Sequence, residues 1–322
     1  MTLLEVRELS VSYTTLKGEL KAVQSVSFDL KEQETLGIVG ESACGKSTLG
    51  LSILNLLPPA GKVTHGKIIL EGQDILTLNK EQLRQTRGKV VAMIFQDPMT
   101  SLNPVKKIGD HFVEAVRAHD PDAPDNEAME RARGILAKLG ISPERLDDYP
   151  HQLSGGMKQR IMIGLSLVLD PKLLIADEPT TSLDVVIEAQ ILDLLFQLKG
   201  SLRLSMILIT HNLGIVAEVA DRIAIMYGGE IFELSDTKTI FKRPLFPYTQ
   251  LLLKLVPNIA SEVGSLEWIP GSPPDLSSPM EGCKFSPRCP FSFGPCRTAR
   301  PILREVEPGH LVACHLYGEK TT

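Results

Sequence analysis

An eight-residue glycine-rich loop constrains the fold of this chain more than any other part of its sequence. Residues 40–47 read Gly-Glu-Ser-Ala-Cys-Gly-Lys-Ser, which is the spacing of a phosphate-binding P-loop. The apolar run at residues 36–40 predicts a buried strand before the loop, and residues 46–57 predict a helix after it. In such a loop the backbone N–H groups surround phosphate oxygens, and the positive end of the helix faces the same charge. The pattern indicates a nucleotide-binding site, with a chance glycine-rich turn as the alternative.

Short apolar runs alternate with helical patterns through the first 235 residues, which is typical of an α/β core. Near-continuous apolar runs at residues 173–177, 206–210 and 223–227 predict further strands. Runs of this kind suit strands that helices cover on both faces.

The pattern changes twice along the chain. From about residue 98 to 165, apolar residues recur at helical spacing, which predicts a helical subdomain inserted into the core. After residue 240 the sequence becomes rich in proline and holds four of the five cysteines. We therefore expect a nucleotide-binding domain over residues 1–240 and a separate, irregular C-terminal extension over residues 241–322.

Composition excludes several classes of protein. Asp and Glu outnumber Lys and Arg by 39 to 34, which argues against a general nucleic-acid binder. The longest apolar run, residues 161–169, has nine residues, and a transmembrane helix needs roughly 20. The first residues lack the apolar segment of a signal peptide. We expect a cytosolic protein that reaches a membrane only through a partner.

Two carboxylates follow the apolar run at residues 173–177. Asp177, at the expected strand end, would hold Mg²⁺, and Glu178 would activate the attacking water as a general base. In the P-loop, Lys46 would reach the β- and γ-phosphates and the Ser47 hydroxyl would coordinate Mg²⁺. A carboxylate pair at a strand end can instead belong to a helix start. Because Pro179 follows at once and the P-loop needs a Mg²⁺ partner, the catalytic interpretation is favoured.

Residues 153–160, Leu-Ser-Gly-Gly-Met-Lys-Gln-Arg, resemble the signature motif of ABC ATPases. Ser154, Gly155 and Gly156 open a helical pattern and so form a second anion site. In this family the signature of one subunit closes over the γ-phosphate held by another subunit. The resemblance therefore implies a dimer that holds two ATP molecules at its interface. It also implies the fold class: a P-loop NTPase (RecA-like) α/β core with the ABC helical subdomain.

The other landmarks of the family follow in order, and their roles are those that the resemblance implies. Tyr13 would stack on adenine, Gln96 would contact Mg²⁺ and link the site to membrane subunits, and residues 182–184 resemble the D-loop. His211 resembles the histidine that senses the γ-phosphate, although a lone histidine after a strand is usually structural. The catalytic residues would be Glu178, His211 and Gln96, and the Mg²⁺ ligands Ser47, Gln96 and Asp177. The residues expected to bind ATP are Tyr13, Gly40, Ser42, Gly45, Lys46, Ser47, Thr48, Gln96, Ser154, Gly155, Gly156, Asp177 and Asp184.

Two P-loop residues call for comment. Related P-loops commonly have glycine where this chain has Ala43, and we expect nucleotide binding to survive because alanine is small. Cys44 is interpreted as a small residue in a variable position, with redox sensing as the alternative.

Three segments resemble the ATPases of dipeptide and oligopeptide importers: residues 95–104, residues 247–251 and the cysteine-bearing extension. Met157 in the signature motif favours the D-type ATPase of this importer family. That resemblance implies two integral permease subunits, a homologous F-type ATPase and an extracytoplasmic substrate-binding protein as partners, and a place on the cytoplasmic face of the membrane. A homodimer of this chain is the alternative to pairing with the F-type ATPase. Oligosaccharide uptake is the alternative to peptide uptake.

Cys283, Cys289, Cys296 and Cys314 are separated by five, six and seventeen residues. Four thiolates suit either zinc or a [4Fe–4S] cluster. Zinc sites usually contain ligand pairs two to four residues apart, which are absent here, and relatives with this module carry a cluster. We therefore expect [4Fe–4S], with zinc as the alternative and His310 and His315 as reserve ligands. A structural role is preferred to redox control of transport.

Two other functions fit parts of the sequence. A nucleic-acid-dependent ABC ATPase can also carry a cysteine module, but such proteins have two cassettes or a long coiled-coil insertion. A redox protein gated by ATP would need a cysteine cluster at a suitable potential. Both are less consistent with the sequence than a transporter subunit.

Overall fold

The computed structural model describes residues 1–16, 18–96, 102–180, 184–255, 269–278 and 280–318. Ser182 of the expected D-loop and part of the segment 95–104 lie outside these residues. The chain forms two compact units. One contains residues 1–76 and 208–322, and the other contains residues 77–207.

The strands, in chain order, are β1 (Thr2–Thr15), β2 (Gly18–Lys31), β3 (Thr35–Val39), β4 (Gly61–Leu70), β5 (Gln73–Asp74), β6 (Val91–Ile94), β7 (Leu173–Asp177), β8 (Ser205–Thr210), β9 (Arg222–Tyr227), β10 (Glu230–Asp236), β11 (Arg304–Glu307) and β12 (His310–Val312). The helices are α1 (Lys46–Ile53), α2 (Lys80–Thr86), α3 (Ile108–Arg117), α4 (Asp125–Lys138), α5 (Gly155–Leu167), α6 (Val185–Leu202), α7 (Leu213–Val219), α8 (Thr237–Lys242), α9 (Pro247–Lys254) and α10 (Gly294–Thr298). No helix in the described ranges is long and apolar enough to cross a membrane.

The first unit begins with an antiparallel sheet in the order β2-β1-β4-β5. Leu4, Val6, Leu9 and Val11 of β1 are buried, and polar residues lie between most of them. This is the pattern expected of a strand with one face in a core. Tyr13, near the end of β1, lies opposite Gly61 of β4.

A second sheet of the first unit contains β3, which runs parallel to β9, and β10, which runs antiparallel to β9. All five residues of β3 are buried. Gly37 is needed there because a Cβ atom would lie 2.1 Å from Val216 Cγ1 of α7. The predicted strands at residues 36–40 and 223–227 are thus confirmed within one residue at each end.

The C-terminal extension differs from the separate module that its composition suggested. β12 pairs with β10, and β11 pairs with β12, so these residues add two strands to the edge of the second sheet. Phe285 packs against three other aromatic rings of the same unit, with ring centroids 5.2–5.5 Å apart. These rings belong to Tyr227, Phe246 and Tyr248. The extension therefore shares a core with the strands before it.

The second unit contains the parallel pair β6 and β7, which confirms the predicted strand at residues 173–177. Its helical part includes α3, α4 and α5, as the periodic pattern predicted. A Cβ atom on Gly164 of α5 would lie 2.8 Å from Leu139 Cδ1 and 3.0 Å from Ile135 Cγ2, so this glycine permits close helix packing.

Candidate functional site

The P-loop connects β3 to α1 in the first unit, and two of its glycines have no room for a side chain. A Cβ atom on Gly40 would lie 2.1 Å from the Met226 carbonyl oxygen. One on Gly45 would lie 2.3 Å from the Ala22 carbonyl oxygen, and Gly45 has φ +100°, which favours glycine. Both positions therefore require glycine, because neighbouring backbone packs directly against the loop.

Lys46 is only 4 % exposed, although it carries a charge. Its Nζ donates hydrogen bonds to the carbonyl oxygens of Gly40, at 2.8 Å, and Glu41, at 3.0 Å. Because both acceptors belong to the loop itself, the ammonium group is held where phosphate oxygens could replace them as partners. Ser47 and Thr48 follow in the first turn of α1, where backbone N–H groups lack helical partners.

Tyr13 lies beside this helix start. Its hydroxyl is 3.3 Å from Thr48 Oγ1, and a Cβ atom on Gly61 would approach the ring to 2.7 Å. Because Gly61 has no side chain, the Tyr13 ring can pack directly against the backbone of β4. The structure places Tyr13 beside the P-loop helix, and its stacking on adenine stays a prediction.

Ala43 and Cys44 differ in their surroundings. Ala43 is exposed and has φ 62°, a left-handed conformation that glycine adopts with less strain. Cys44 is 5 % exposed, and burial raises the pKa of its thiol despite the opposing charge of Lys46. A buried, protonated thiol is a poor nucleophile, which favours the structural interpretation of Cys44 over redox sensing. Ser42, between Glu41 and Ala43, is exposed.

In the second unit, Asp177 ends β7 and is 3 % exposed. Glu178 follows with φ 45°, and the Gln96 side chain donates a hydrogen bond from Nε2 to Glu178 Oε2 at 3.0 Å. The structure thus brings together two of the three expected catalytic residues. Their direct hydrogen bond was not predicted.

Ser154 caps α5, and its hydroxyl accepts a hydrogen bond from the Met157 N–H at 3.3 Å. A Cβ atom on Gly155 would meet nothing within 4 Å, whereas one on Gly156 would lie 3.3 Å from Ile187 Cγ2. The helix start is therefore open at Gly155. Farther along α5, Gln159 donates a hydrogen bond to the Pro179 carbonyl oxygen, which links the signature helix to the residues after Glu178.

Asp184 is the N-cap of α6, where its Oδ1 accepts hydrogen bonds from the N–H groups of Val186, at 3.1 Å, and Ile187, at 2.9 Å. This capping role was not recognised in the sequence, although aspartate directly before a helical pattern signals it. In the first unit, His211 is exposed and follows β8 directly.

Comparisons with known proteins agree with this set of motifs. The family model described as ABC transporter matches residues 23–181, and the one described as oligopeptide/dipeptide transporter, C-terminal region, matches residues 232–296. The dipeptide transport ATP-binding protein DppD of Bacillus subtilis (strain 168) is 46 % identical over 320 residues, which cover 98 % of this chain and 95 % of that protein. The DppD of Escherichia coli (strain K12) is 43 % identical over 319 residues, covering 98 % and 97 %. The chain belongs to the oligopeptide/dipeptide branch of the ABC transporter ATP-binding proteins.

Solved structures share the fold of this ABC protein. The ATP-binding cassette MJ0796, a dimer in a post-hydrolysis state bound to ADP and Pi, superposes with a TM-score of 0.65 at 24 % identity, covering 73 % of this chain and 99 % of that chain. The cbiO1 protein from Clostridium perfringens, part of the ABC transporter complex cbiONQ, has a TM-score of 0.64 at 29 % identity, covering 75 % and 91 %. The expected fold class, a P-loop NTPase core with a helical subdomain, is confirmed.

Three of the four cysteines in the ABC protein's extension, Cys283, Cys289 and Cys314, have raised thiol pKa values. Burial is the main cause that raises the pKa of Cys283 to about 12 and of Cys314 to about 11, and the other thiols raise both further. Backbone N–H groups two residues on, those of Phe285 and Leu316, act in the opposite direction by favouring the thiolates.

The backbone N–H of Phe291 likewise forms a hydrogen bond with Cys289 and favours its thiolate. N–H groups directed at sulfur are suited to thiolates that ligate a metal. Within the described residues, however, no three His, Cys, Asp or Glu side chains are grouped so that they could hold a metal ion.

Both histidines expected as reserve ligands are engaged elsewhere. His310 is 1 % exposed, and its Nε2 lies 2.7 Å from Glu233 Oε1. His315 Nε2 lies 2.8 Å from the carbonyl oxygen of Ala299. One ring nitrogen of each imidazole is thus already engaged, whereas Nδ1 of His310 is buried without a hydrogen-bond partner among the described residues.

Proposed function

We propose that this chain binds and hydrolyses ATP to energise the uptake of dipeptides or oligopeptides through separate membrane subunits, docked on the cytoplasmic face of the membrane. The observation that carries the proposal is the near full-length match to dipeptide transport ATP-binding proteins, 46 % identical over 98 % of this chain. The match includes the C-terminal region of the oligopeptide/dipeptide transporter family as well as the nucleotide-binding motifs.

The residues described above suit this chemistry. Mg²⁺ would be held by Ser47, Gln96 and Asp177, a hydroxyl, an amide and a carboxylate, which are the oxygen donors this cation prefers. When bound, it would neutralise charge on the phosphates. Lys46 would exchange its loop carbonyls for β- and γ-phosphate oxygens, as its hydrogen bonds with Gly40 and Glu41 permit.

Glu178 would accept the proton of the attacking water. The hydrogen bond from Gln96 supports this role because it orients the carboxylate. His211 would contact the γ-phosphate. Ser154, Gly155 and Gly156 would receive the γ-phosphate held by a second ATPase subunit, and the open helix start at Gly155 is consistent with that.

The proposal includes a set of partners. Two integral permease subunits would receive the motion of the ATPase pair, and an extracytoplasmic binding protein would supply the peptide. The second ATPase would be a homologous F-type subunit, with a homodimer as the alternative. MJ0796, a bacterial ABC transporter cassette, forms a dimer. That supports a two-subunit arrangement in general and leaves the choice of partner open.

We also propose that Cys283, Cys289, Cys296 and Cys314 hold a [4Fe–4S] cluster that stabilises the extension. Support comes from the mutual influence of the thiols and from the N–H groups directed at three of them. Zinc stays the alternative, because four thiolates suit either metal centre.

The deciding experiment compares ATP hydrolysis by the wild type and by Glu178→Gln, with the chain alone and together with an F-type ATPase and the permeases. We expect hydrolysis by the wild type and a loss of at least 100-fold in Glu178→Gln, on the scale of a lost general base. Glu178→Gln should also form an ATP-dependent dimer by light scattering. Glu130→Gln, which changes an exposed carboxylate on α4, is the matched control and should behave as wild type. Wild-type protein that hydrolyses no ATP even with its partners would refute the proposal.

A further inference from the structure

The guanidinium of Arg288, in the C-terminal extension, uses every N–H that it has. Its Nε donates to the Pro270 carbonyl oxygen at 2.9 Å, and its two terminal nitrogens each donate to one oxygen of Glu41, at 2.8 and 2.9 Å. The remaining hydrogen bonds go to Tyr227 Oη, at 3.1 Å, and the Ile269 carbonyl oxygen, at 3.2 Å. Arginine has five N–H donors in a rigid fork, and here all of them have acceptors. Lysine could not reproduce this arrangement.

The partner of this guanidinium, Glu41, is the second residue of the P-loop. Its backbone N–H donates to Tyr248 Oη at 3.0 Å, and its carbonyl oxygen accepts from Lys46 Nζ at 3.0 Å. Glu41 is therefore held at its N–H, its carbonyl and its side chain. The side chain is held by a residue that lies 247 positions away in sequence.

A carboxylate at this place would oppose the binding of ATP unless its charge were balanced. The backbone of a P-loop surrounds the phosphates of its nucleotide. A carboxylate on the same loop repels these negative charges, the more so where solvent is excluded. The side chain of Arg288 is 6 % exposed and that of Glu41 is 23 % exposed, so water screens the pair weakly. The guanidinium also lies over the Tyr227 ring, 5.8 Å from its centroid, which fixes its position further.

We propose that Arg288 is a positioning residue of the ATP site, which neutralises Glu41 and holds its carboxylate away from the bound phosphates. The C-terminal extension is thereby a working part of the nucleotide site. This inference rests on the proposed ATP-binding function. Arg288 directly precedes Cys289, so this side chain links the segment that carries the cysteines to the P-loop.

The test measures the affinity of the full-length chain for a fluorescent ATP analogue, with unlabelled MgATP as competitor. We expect Arg288→Met to bind ATP about tenfold more weakly at low salt, because Glu41 is left uncompensated, and the deficit to shrink as salt is added. In steady-state kinetics the change should fall on KM rather than on kcat. Glu41→Gln alone should bind within about threefold of wild type, since it removes the repelling charge.

The decisive variant is the double substitution Glu41→Gln with Arg288→Met. Once the carboxylate is gone, losing the arginine should cost little, so the double variant should bind ATP nearly as well as Glu41→Gln. Arg300→Met is the matched control. Arg300 also lies in the extension and pairs with Glu230, at 2.9 Å, yet has no hydrogen bond or ion pair with the P-loop among the described residues.

Several outcomes would overturn the inference. Wild-type affinity in Arg288→Met, an equal loss in Arg300→Met, or no rescue in the double variant would each show that Arg288 only packs the extension. If Arg288→Met does not fold, Glu41→Gln decides, because a loss well beyond threefold there contradicts a repelling carboxylate. Failure of the proposed function looks different, since the wild type itself would then bind no ATP.

Discussion

At the scale of single residues, two positions of the nucleotide site carry a backbone conformation that their side chains disfavour. Ala43 has φ 62° and Glu178 has φ 45°. Related P-loops commonly have glycine at the position of Ala43, and the left-handed conformation supplies the physical reason. Alanine there costs about 1 kcal/mol relative to glycine.

Ala43→Gly should therefore stabilise the protein. We expect the free energy of unfolding in urea to rise by roughly 0.5–1 kcal/mol, because the strain outweighs the extra freedom of glycine in the unfolded chain. Ala137→Gly is the matched control. Ala137 is exposed on α4, and there the same substitution should destabilise by about 1 kcal/mol. Equal effects of the two substitutions would show that backbone strain at Ala43 is unimportant.

The motif residues could be predicted from the sequence, but their partners could not. The order and spacing of glycine, lysine and serine name the P-loop residues, because those residue types are needed for phosphate binding. The hydrogen bonds of Gln96 with Glu178 and of Arg288 with Glu41 join residues 82 and 247 positions apart. Contacts over such separations depend on tertiary packing, and a single sequence contains no signal for them.

At the scale of strands and helices, the buried strands β3, β7 and β9 were predicted, whereas the buried strands β6 and β10 and the short strands β11 and β12 were missed. β3 and β7 are short apolar runs that nothing but a covered strand explains. β11 and β12 are four and three residues long, and β11 reads Arg-Glu-Val-Glu. Such segments lack hydrophobic periodicity, so their pairing is decided by the edge of β10 rather than by their own sequence.

A side-chain contact links β12 to β10: the imidazole of His310, in β12, contacts the buried carboxylate of Glu233, in β10. Glu233 is fully buried and also accepts hydrogen bonds from the N–H groups of Leu245, at 2.7 Å, and Phe246, at 3.1 Å. His310→Ala should lower the free energy of unfolding by about 2–3 kcal/mol, because it removes one partner of a buried polar pair.

Thermal and urea unfolding would measure this effect. His315→Ala is the control, since His315 contacts only the Ala299 carbonyl oxygen among the interactions described for it and is partly exposed. Its loss should cost well under 1 kcal/mol. A stable His310→Ala protein would mean that the pairing of β10 with β12 holds without the side-chain contact.

At the scale of the whole molecule, the cysteine-bearing extension shares a core with the nucleotide-binding strands, so a metal centre bound there would stabilise the entire first unit. Anaerobically purified protein should contain about four irons and matching sulfide and show a broad brown absorbance. Removing the cluster should lower the thermal stability of the nucleotide-binding unit as well as the extension.

Substituting Cys296 by serine should reduce the iron content, whereas Cys44→Ser should leave it unchanged because Cys44 lies in the P-loop. A measurement of one zinc per chain without sulfide would show that the four cysteines bind a structural zinc ion and no cluster. If the purified protein contains no metal and Cys296→Ser is as stable as the wild type, the proposed metal centre is refuted.

The two added strands also change what the second sheet presents to its surroundings. Without β12, the buried strand β10 would end the sheet with a row of unpaired backbone groups, the kind of edge on which other chains can add strands and aggregate. With the extension in place, the sheet ends instead at β11, a four-residue strand with three charged side chains. Since β12 follows β10 in the chain, a protein synthesised only as far as β10 has no strand of its own to cover this edge. The extension therefore also protects the sheet against pairing with other chains, and its loss would expose an edge suited to aggregation.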